Sequence, residues 1–301
     1  MEMTALGNTG LKVSRLGVGL WEIGEQLAPG DVAQAGRMLN AALDAGINFL
    51  DTAACYGTSE ELIGRTIAHR RHEYILATKC GHVTGGYGGK PWTAQTVRES
   101  IDRSLTRMKT DHLDLVQLHS CDVAILERGK VIQALVDARE AGKTRFVGFS
   151  GDNEAARWAI ESGLFETLQT SFNVVDQHAR ARLFPVAEDR GIGIIIKRPI
   201  ANGVWGAERN TWPYANEYYR RAQVVARTGP IPGAPEDRIL LAMGFVFAHP
   251  EVDTAIVGTR NPSHMLANIQ MVENRLPIAT EAVEELRRRF DRVGERWMQL
   301  I

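Results

Sequence analysis

The chain has 301 residues, is 44% hydrophobic, and balances 35 basic against 36 acidic side chains for a formal net charge of -1. That composition supports a sizeable core in one large domain and offers no basic excess for nucleic acid and no acidic tail. Three cysteines are too few and too odd in number for a disulfide framework, and no apolar run approaches the ~18 residues that span a bilayer, so the expectation is a cytoplasmic protein.

The opening "MTALGNTGLKVS" reads as a small hairpin turning around Asn8 and Gly10 and plugging a barrel floor. Behind it come apolar runs, each followed by an amphipathic stretch. "RLGVG" precedes "AQAGRMLNAALDAG", and "INFL" precedes "TSEELIGRTIAHR". "YILATK" precedes "TAQTVRESIDRSLTRM", and "LDLVQLH" precedes "AILERGKVIQALVDAREAG". "RFVGFS", "TLQTSF" and "TAIVG" lead three further units in the same way, "IGIIIK" leads a fourth through a long loop before "APEDRILLAMGFVFAH", and "EAVEELRRRFDRVGERWMQL" adds a C-terminal helix. Strands alternating with helices imply a parallel sheet, and continuously apolar strands imply that both faces are covered. Eight units in one domain spanning residues 1–301 fit an α/β fold of the (β/α)8 TIM-barrel type, with a six-stranded open sheet as the alternative.

Helix punctuation agrees. Thr58 with Glu61 fits a capping box, Asn261 with Pro262 fits an N-cap and first-turn proline, and Gly46, Gly142 and Gly191 follow helical stretches. The segment 201–235 reads as a long loop over the active-site face, carrying Trp205, Trp212, Tyr214, Tyr218 and Tyr219 either as a roof or as packing.

Several motifs fail. Glu22 stands where the third glycine of a dinucleotide fingerprint begun by Gly17 and Gly19 belongs, and "GGYGGK" is one residue short of a phosphate loop. His69 and His72 flank two arginines and read as a solvated basic face; no metal site is expected.

In such a barrel the chemistry sits at the C-terminal ends of the strands. There the sequence places Asp51, Lys79, His119, Ser150 and Gln169, with Tyr56 in the loop after the second strand. An acid, an ammonium, an imidazole and a phenol on one rim have a joint use. The phenol alone, with a pKa near ~10, is a poor proton shuttle, and a neighbouring cation lowers that pKa. Lys79 supplies the cation, Asp51 holds it, His119 orients a substrate oxygen, and Tyr56 delivers the proton as general acid. No activated serine is evident, so the nucleophile is a hydride, and a nicotinamide is the fitting donor. A Schiff-base isomerase or aldolase using Lys79 is disfavoured because Asp51 would keep that lysine charged.

With "LDTAACYG", "ATK" and "LVQLHSCD" in order, and from "LGNTGLKVSRLGVGLW" to "GTRNPSHMLANI", the chain resembles the aldo-keto reductase family. The resemblance implies a (β/α)8 barrel and reduction of an aldehyde or ketone with NADPH, NADH being the alternative cofactor. It implies the tetrad Asp51, Tyr56, Lys79 and His119, with Ser150 and Gln169 on the nicotinamide carboxamide. Trp21 would lie beside cofactor and substrate, and Trp92 would line the substrate pocket with Tyr56 and His119. Thr259, Arg260 and Asn268 would hold the adenosine-phosphate end, and Lys197 or Arg198 would touch the pyrophosphate. The chain departs from the family pattern at Gly151, where Asn is common, at Lys197, where a stacking Tyr is common, and at His264, where a basic group often grips the 2′-phosphate. A cofactor-binding regulatory subunit of the same fold is the alternative function. The expected partners are a small carbonyl substrate and, at most, further copies in a small homo-oligomer. Cys55, Cys80 and Cys121 all flank the tetrad and read as small apolar filler, with an oxidation-sensitive thiol as the sharper alternative.

Overall fold

The computed structural model describes residues 1–27, 30–83, 89–210 and 212–300; the glycine-rich stretch at 85–88 lies outside them. Two short strands, β1 (Met3–Ala5) and β2 (Lys12–Ser14), pair antiparallel around a 3-10 turn at Gly7–Thr9. Eight strands then close a parallel barrel: β3 (Leu16–Gly19), β4 (Phe49–Asp51), β5 (Ile75–Cys80), β6 (Leu113–His119), β7 (Thr144–Ser150), β8 (Thr167–Ser171), β9 (Gly193–Lys197) and β10 (Thr254–Gly258). Each strand neighbours its successor, and β10 pairs with β3 to close the ring. The expected (β/α)8 architecture is the one observed, and the open sheet is excluded.

The hairpin seals the N-terminal end. Gly7 N donates to Asp253 Oδ2 at 3.0 Å and Asn8 N donates to Gly191 O at 2.9 Å, both partners lying just ahead of barrel strands. The Gly7 backbone is left-handed at φ 48°, and a Cβ there would stand 2.3 Å from Gly193 N, so only glycine permits this approach. Leu6, Leu11 and Val13 enter the barrel and pack with Phe49, Ala77, Leu115, Ile195 and Ile256.

That layer sets the rim above it. Side chains alternate along a strand, so the residues two further on face the same interior. Phe49 is followed by Asp51, Ala77 by Lys79, Leu115 by Gln117, and Ile195 by Lys197. One apolar layer therefore supports one polar layer at the C-terminal mouth.

Outside the ring, the expected helix after β6 is broken at Gly129, which is left-handed at φ 70°, into Val123–Glu127 and Lys130–Glu140. Asn261 caps Pro262–Arg275 by accepting from Ser263 N at 2.9 Å. Thr58 departs from the expected capping box: its hydroxyl donates to Gly24 O at 3.3 Å and makes no cap hydrogen bond. A short helix, Trp21–Gln26, follows β3 directly.

The segment 201–235 is not a plain loop. It contains the helix Asn216–Ala226, whose buried face is Tyr218, Arg221, Ala222 and Val225. Arg221 is buried because Glu217 accepts from it at 2.9 Å and Met298 O at 2.7 Å. The C-terminal helix Thr280–Val293 is present as expected, and no helix among the described residues is long and apolar enough to cross a membrane.

Candidate active site

Four side chains meet at the mouth where β4, β5 and β6 end. Lys79 Nζ donates to Asp51 Oδ2 at 2.6 Å and to Thr52 O at 3.0 Å. Asp51 Oδ1 accepts from Gln169 at 2.8 Å and from Gln117 at 3.2 Å, so the buried carboxylate is fully engaged. The Lys79 ammonium stands 4.8 Å from the Tyr56 ring centroid. The Tyr56 and His119 rings meet edge to face with centroids 6.0 Å apart.

The loop after β4 aims the phenol. Thr52 N donates to Ala77 O, Ala54 N to Lys79 O and Tyr56 N to Ala53 O, which pins the loop against β5. Ser59 N donates to Tyr56 O at 2.9 Å, opening the helix Ser59–Thr66. Beneath it, buried Glu60 accepts from Thr78 at 2.8 Å and from Ser104 at 2.6 Å. Gly24 presses on this loop: a Cβ there would lie 2.1 Å from Tyr56 O.

Electrostatics separate the four roles. Burial works against the Lys79 charge, but Asp51, through charge and hydrogen bonding, together with Tyr56 and Cys55, holds the ammonium above its ordinary range. Burial also pushes the Tyr56 phenol up; Lys79 opposes through charge and hydrogen bonding without reversing the shift. The expectation of a depressed phenol is thereby corrected: this phenol holds its proton. Burial, and then the Lys79 charge, push His119 well below the ordinary histidine range, so its imidazole is neutral. The rim thus presents a protonated phenol and a neutral imidazole side by side, with the Lys79 and Asp51 charges paired to each other.

The remaining expected residues divide into groups. Ser150 and Gln169 are register partners on β7 and β8, both buried, and Ser150 Oγ donates to Gln169 Oε1 at 3.2 Å. Trp21 packs at a tilt against Trp212 with centroids 5.5 Å apart, and Trp212 meets Tyr214 at 5.0 Å, so part of the aromatic segment reaches the rim. Trp205 and Tyr218 instead belong to the core. Trp92 donates from Nε1 to His119 O at 2.9 Å, bracing the strand end.

Lys197 pairs with Asp152 at 2.8 Å. Arg198 donates to Leu300 O at 2.5 Å, to Ser171 Oγ at 3.2 Å and to Tyr214 OH. Both cations expected at the pyrophosphate thus have internal partners. At the far edge Thr259 is buried, its hydroxyl accepting from Asn261 N at 3.1 Å, and Asn268 lies on the capped helix. Arg260 is exposed, and its guanidinium makes no hydrogen bond or ion pair with a described residue. Gly151 lies over the Phe149 ring, where a Cβ would approach to 2.5 Å, which leaves no room for an asparagine in this backbone.

Sequence reasoning passed over Gln117, though its period-two spacing from His119 in "LVQLH" was available. It also passed over Glu22, which burial pushes up and which faces Arg260 and His264, so that an acid opposes the anion end. Asp152 and His82 were missed as well. His82 stacks on His119 with centroids 4.3 Å apart, and nothing local in the sequence marks it.

The model of the aldo/keto reductase family matches residues 15–288. L-galactose dehydrogenase of Arabidopsis thaliana is 29% identical over 285 residues, covering 90% of this chain and 88% of that protein. The 6-dehydroglucose reductase of Novosphingobium aromaticivorans is 30% identical over 284 residues, covering 90% of each. Among solved structures, the holo form of an aldo-keto reductase from Bacillus halodurans superposes with a TM-score of 0.81 at 25% identity, covering 96% of both chains.

Proposed function

The chain belongs to the aldo/keto reductase family and is an NAD(P)H-dependent oxidoreductase, and on that premise we propose that it reduces an aldehyde or ketone to an alcohol with NADPH. The observation that carries the reading is the pairing of a protonated Tyr56 with a neutral His119 beside the buried Lys79–Asp51 pair.

The donors present suit a dinucleotide. Buried Ser150 and Gln169 offer a hydroxyl and an amide for a carboxamide, and the N-terminus of Pro262–Arg275, with the exposed Arg260 guanidinium beside it, offers an anion site. Trp21 would flank the cofactor on the rim, and a bound reduced nicotinamide would supply the hydride that the carbonyl carbon takes up. His119 donates a hydrogen bond to the carbonyl oxygen, fixing its position against Tyr56. Tyr56 gives its proton to that oxygen as negative charge develops there. Lys79 then stabilises the phenolate left behind, and Asp51 keeps Lys79 charged and aimed; general acid catalysis of this kind contributes about 10²–10⁴-fold. Trp92 and Trp21 wall the substrate. Lys197, paired with Asp152, and Arg198, donating to the C-terminal segment, are the cations that would reach the pyrophosphate.

Substrate depletion coupled to NADPH oxidation, run on sugar-type and apolar carbonyls because two relatives are named for sugars, tests the reading. Turnover with at least one class is expected. Arg260 as the 2′-phosphate ligand requires NADPH to bind more tightly than NADH, and the reverse order would refute it. Borohydride trapping of substrate on Lys79 would instead establish the Schiff-base alternative.

A further inference from the structure

Cys55 and His82 have no part in that reaction, yet both crowd His119. Cys55 Sγ lies 3.5 Å from His119 Nδ1, and the His82 ring is stacked on the His119 ring at 4.3 Å with an interplanar angle of 10°. One ligand atom from each of the three residues lies within 4.8 Å of the others. His82 Nε2 is shut off from solvent and has no hydrogen-bond partner among the described residues, and Cys55 is a free thiol. A buried nitrogen without a partner is costly, so its position calls for a ligand.

One sulfur and two imidazoles form a donor set for zinc-class cations. Bonds of about 2.3 Å to sulfur and about 2.0 Å to nitrogen at tetrahedral angles separate those two atoms by about 3.5 Å, which is the Cys55–His119 distance observed. His82 must close by roughly 1 Å and tip out of the stack so that its lone pair converges. It is half-buried on the loop directly after β5, next to Gly81 at φ 110°. Of the cations that act on His119, Lys79 is paired with Asp51 at 2.6 Å and Lys197 with Asp152 at 2.8 Å, so an entering dication meets charges that are largely paired.

We propose that Cys55, His82 and His119 form a three-ligand site for a zinc-class divalent cation that closes the active site. Binding exchanges the thiol proton for the metal and releases that proton to solvent, with no change of oxidation state. Ligation occupies His119 and fills the gap between it and Tyr56 with the ion and its remaining water. Inhibition is then competitive with the carbonyl substrate, a consequence that rests on the function proposed above, whereas the binding itself does not.

Titration of the full chain with Co2+ reads the site without turnover. The expected result is one ion per chain, a thiolate-to-cobalt charge-transfer band in the near ultraviolet, and displacement by Zn2+. Cys55→Ala should abolish the band, Cys55→Ser doing the same if the alanine variant fails to fold, and His82→Ala should weaken Zn2+ at least tenfold. Cys121→Ala should retain the band. No band in the wild-type protein, a band that survives loss of Cys55, or unchanged Zn2+ affinity in His82→Ala overturns the proposal. A band without any NADPH-dependent turnover would leave the metal site standing and refute the reductase reading instead.

Discussion

Replacing Lys79 by Met and Asp51 by Asn, singly and together, probes the pair on which the site is built. At 2.6 Å, with both side chains about 1% exposed, the two charges attract by about 6 kcal/mol for an effective dielectric of ~20. Much of that is offset by the cost of taking both groups out of water, so the pair's net worth is small. Breaking it is another matter: either single variant strands an uncompensated buried charge, at about 3–5 kcal/mol. The double variant removes both charges and should cost less than the sum of the singles by about 2–3 kcal/mol. Lys79 is held above its ordinary range, so its contribution is complete below the unfolded lysine pKa and fades only as pH rises through the still higher folded value. The effect should therefore be flat from about pH 6 to pH 9. Urea unfolding followed by circular dichroism and tryptophan fluorescence measures it. Singles below about 1 kcal/mol, or a double equal to their sum, would refute the reasoning.

Two further predictions concern the barrel floor and the Tyr56 loop. Burial raises Asp253 to about 6, though its carboxylate accepts from Gly7 N and Ile194 N and faces Arg15. A raised carboxylate favours the fold at low pH and loses that advantage as pH climbs from about 4 to about 6, so Asp253→Asn should gain up to about 3 kcal/mol over the wild type across that window and then level off. Denaturant midpoints at pH 4, 5, 6 and 7 check it; a gain independent of pH would contradict it. Gly24→Ala drives a Cβ to 2.1 Å from Tyr56 O, so the loop must shift. A displacement near 1 Å should lower kcat/KM by about 10–100-fold while cofactor affinity, measured by fluorescence quenching, changes far less; unaltered kcat/KM would show that the loop does not set the phenol's position.

Much of the fold was legible because each barrel strand is a continuous apolar run ending in a polar residue, a pattern that a parallel sheet covered on both faces imposes. Asp51, Lys79 and His119 were legible for the same reason: each sits one alternation beyond an interior residue, at a strand end. What remained hidden depends on contacts between distant segments. The helix Asn216–Ala226 was masked by flanking Gly and Pro and by an arginine on its inner face, which only the Glu217 and Met298 contacts make intelligible. Thr58 matched a capping motif but found Gly24 O closer to hand. The phenol's proton affinity depended on how far burial outweighs Lys79, a balance that no local pattern encodes. Cys55 and His82 come from different loops, so their meeting at His119 appears only once β4, β5 and β6 lie side by side.

The central claim, that Tyr56 delivers the proton, is tested most directly by Tyr56→Phe. The phenyl ring keeps the edge-to-face contact with His119 and removes only the hydroxyl. NADPH affinity should stay within about threefold of the wild type, while kcat for carbonyl reduction should fall by about 10²–10⁴-fold. A Tyr56→Phe protein that turns over at the wild-type rate would contradict the account.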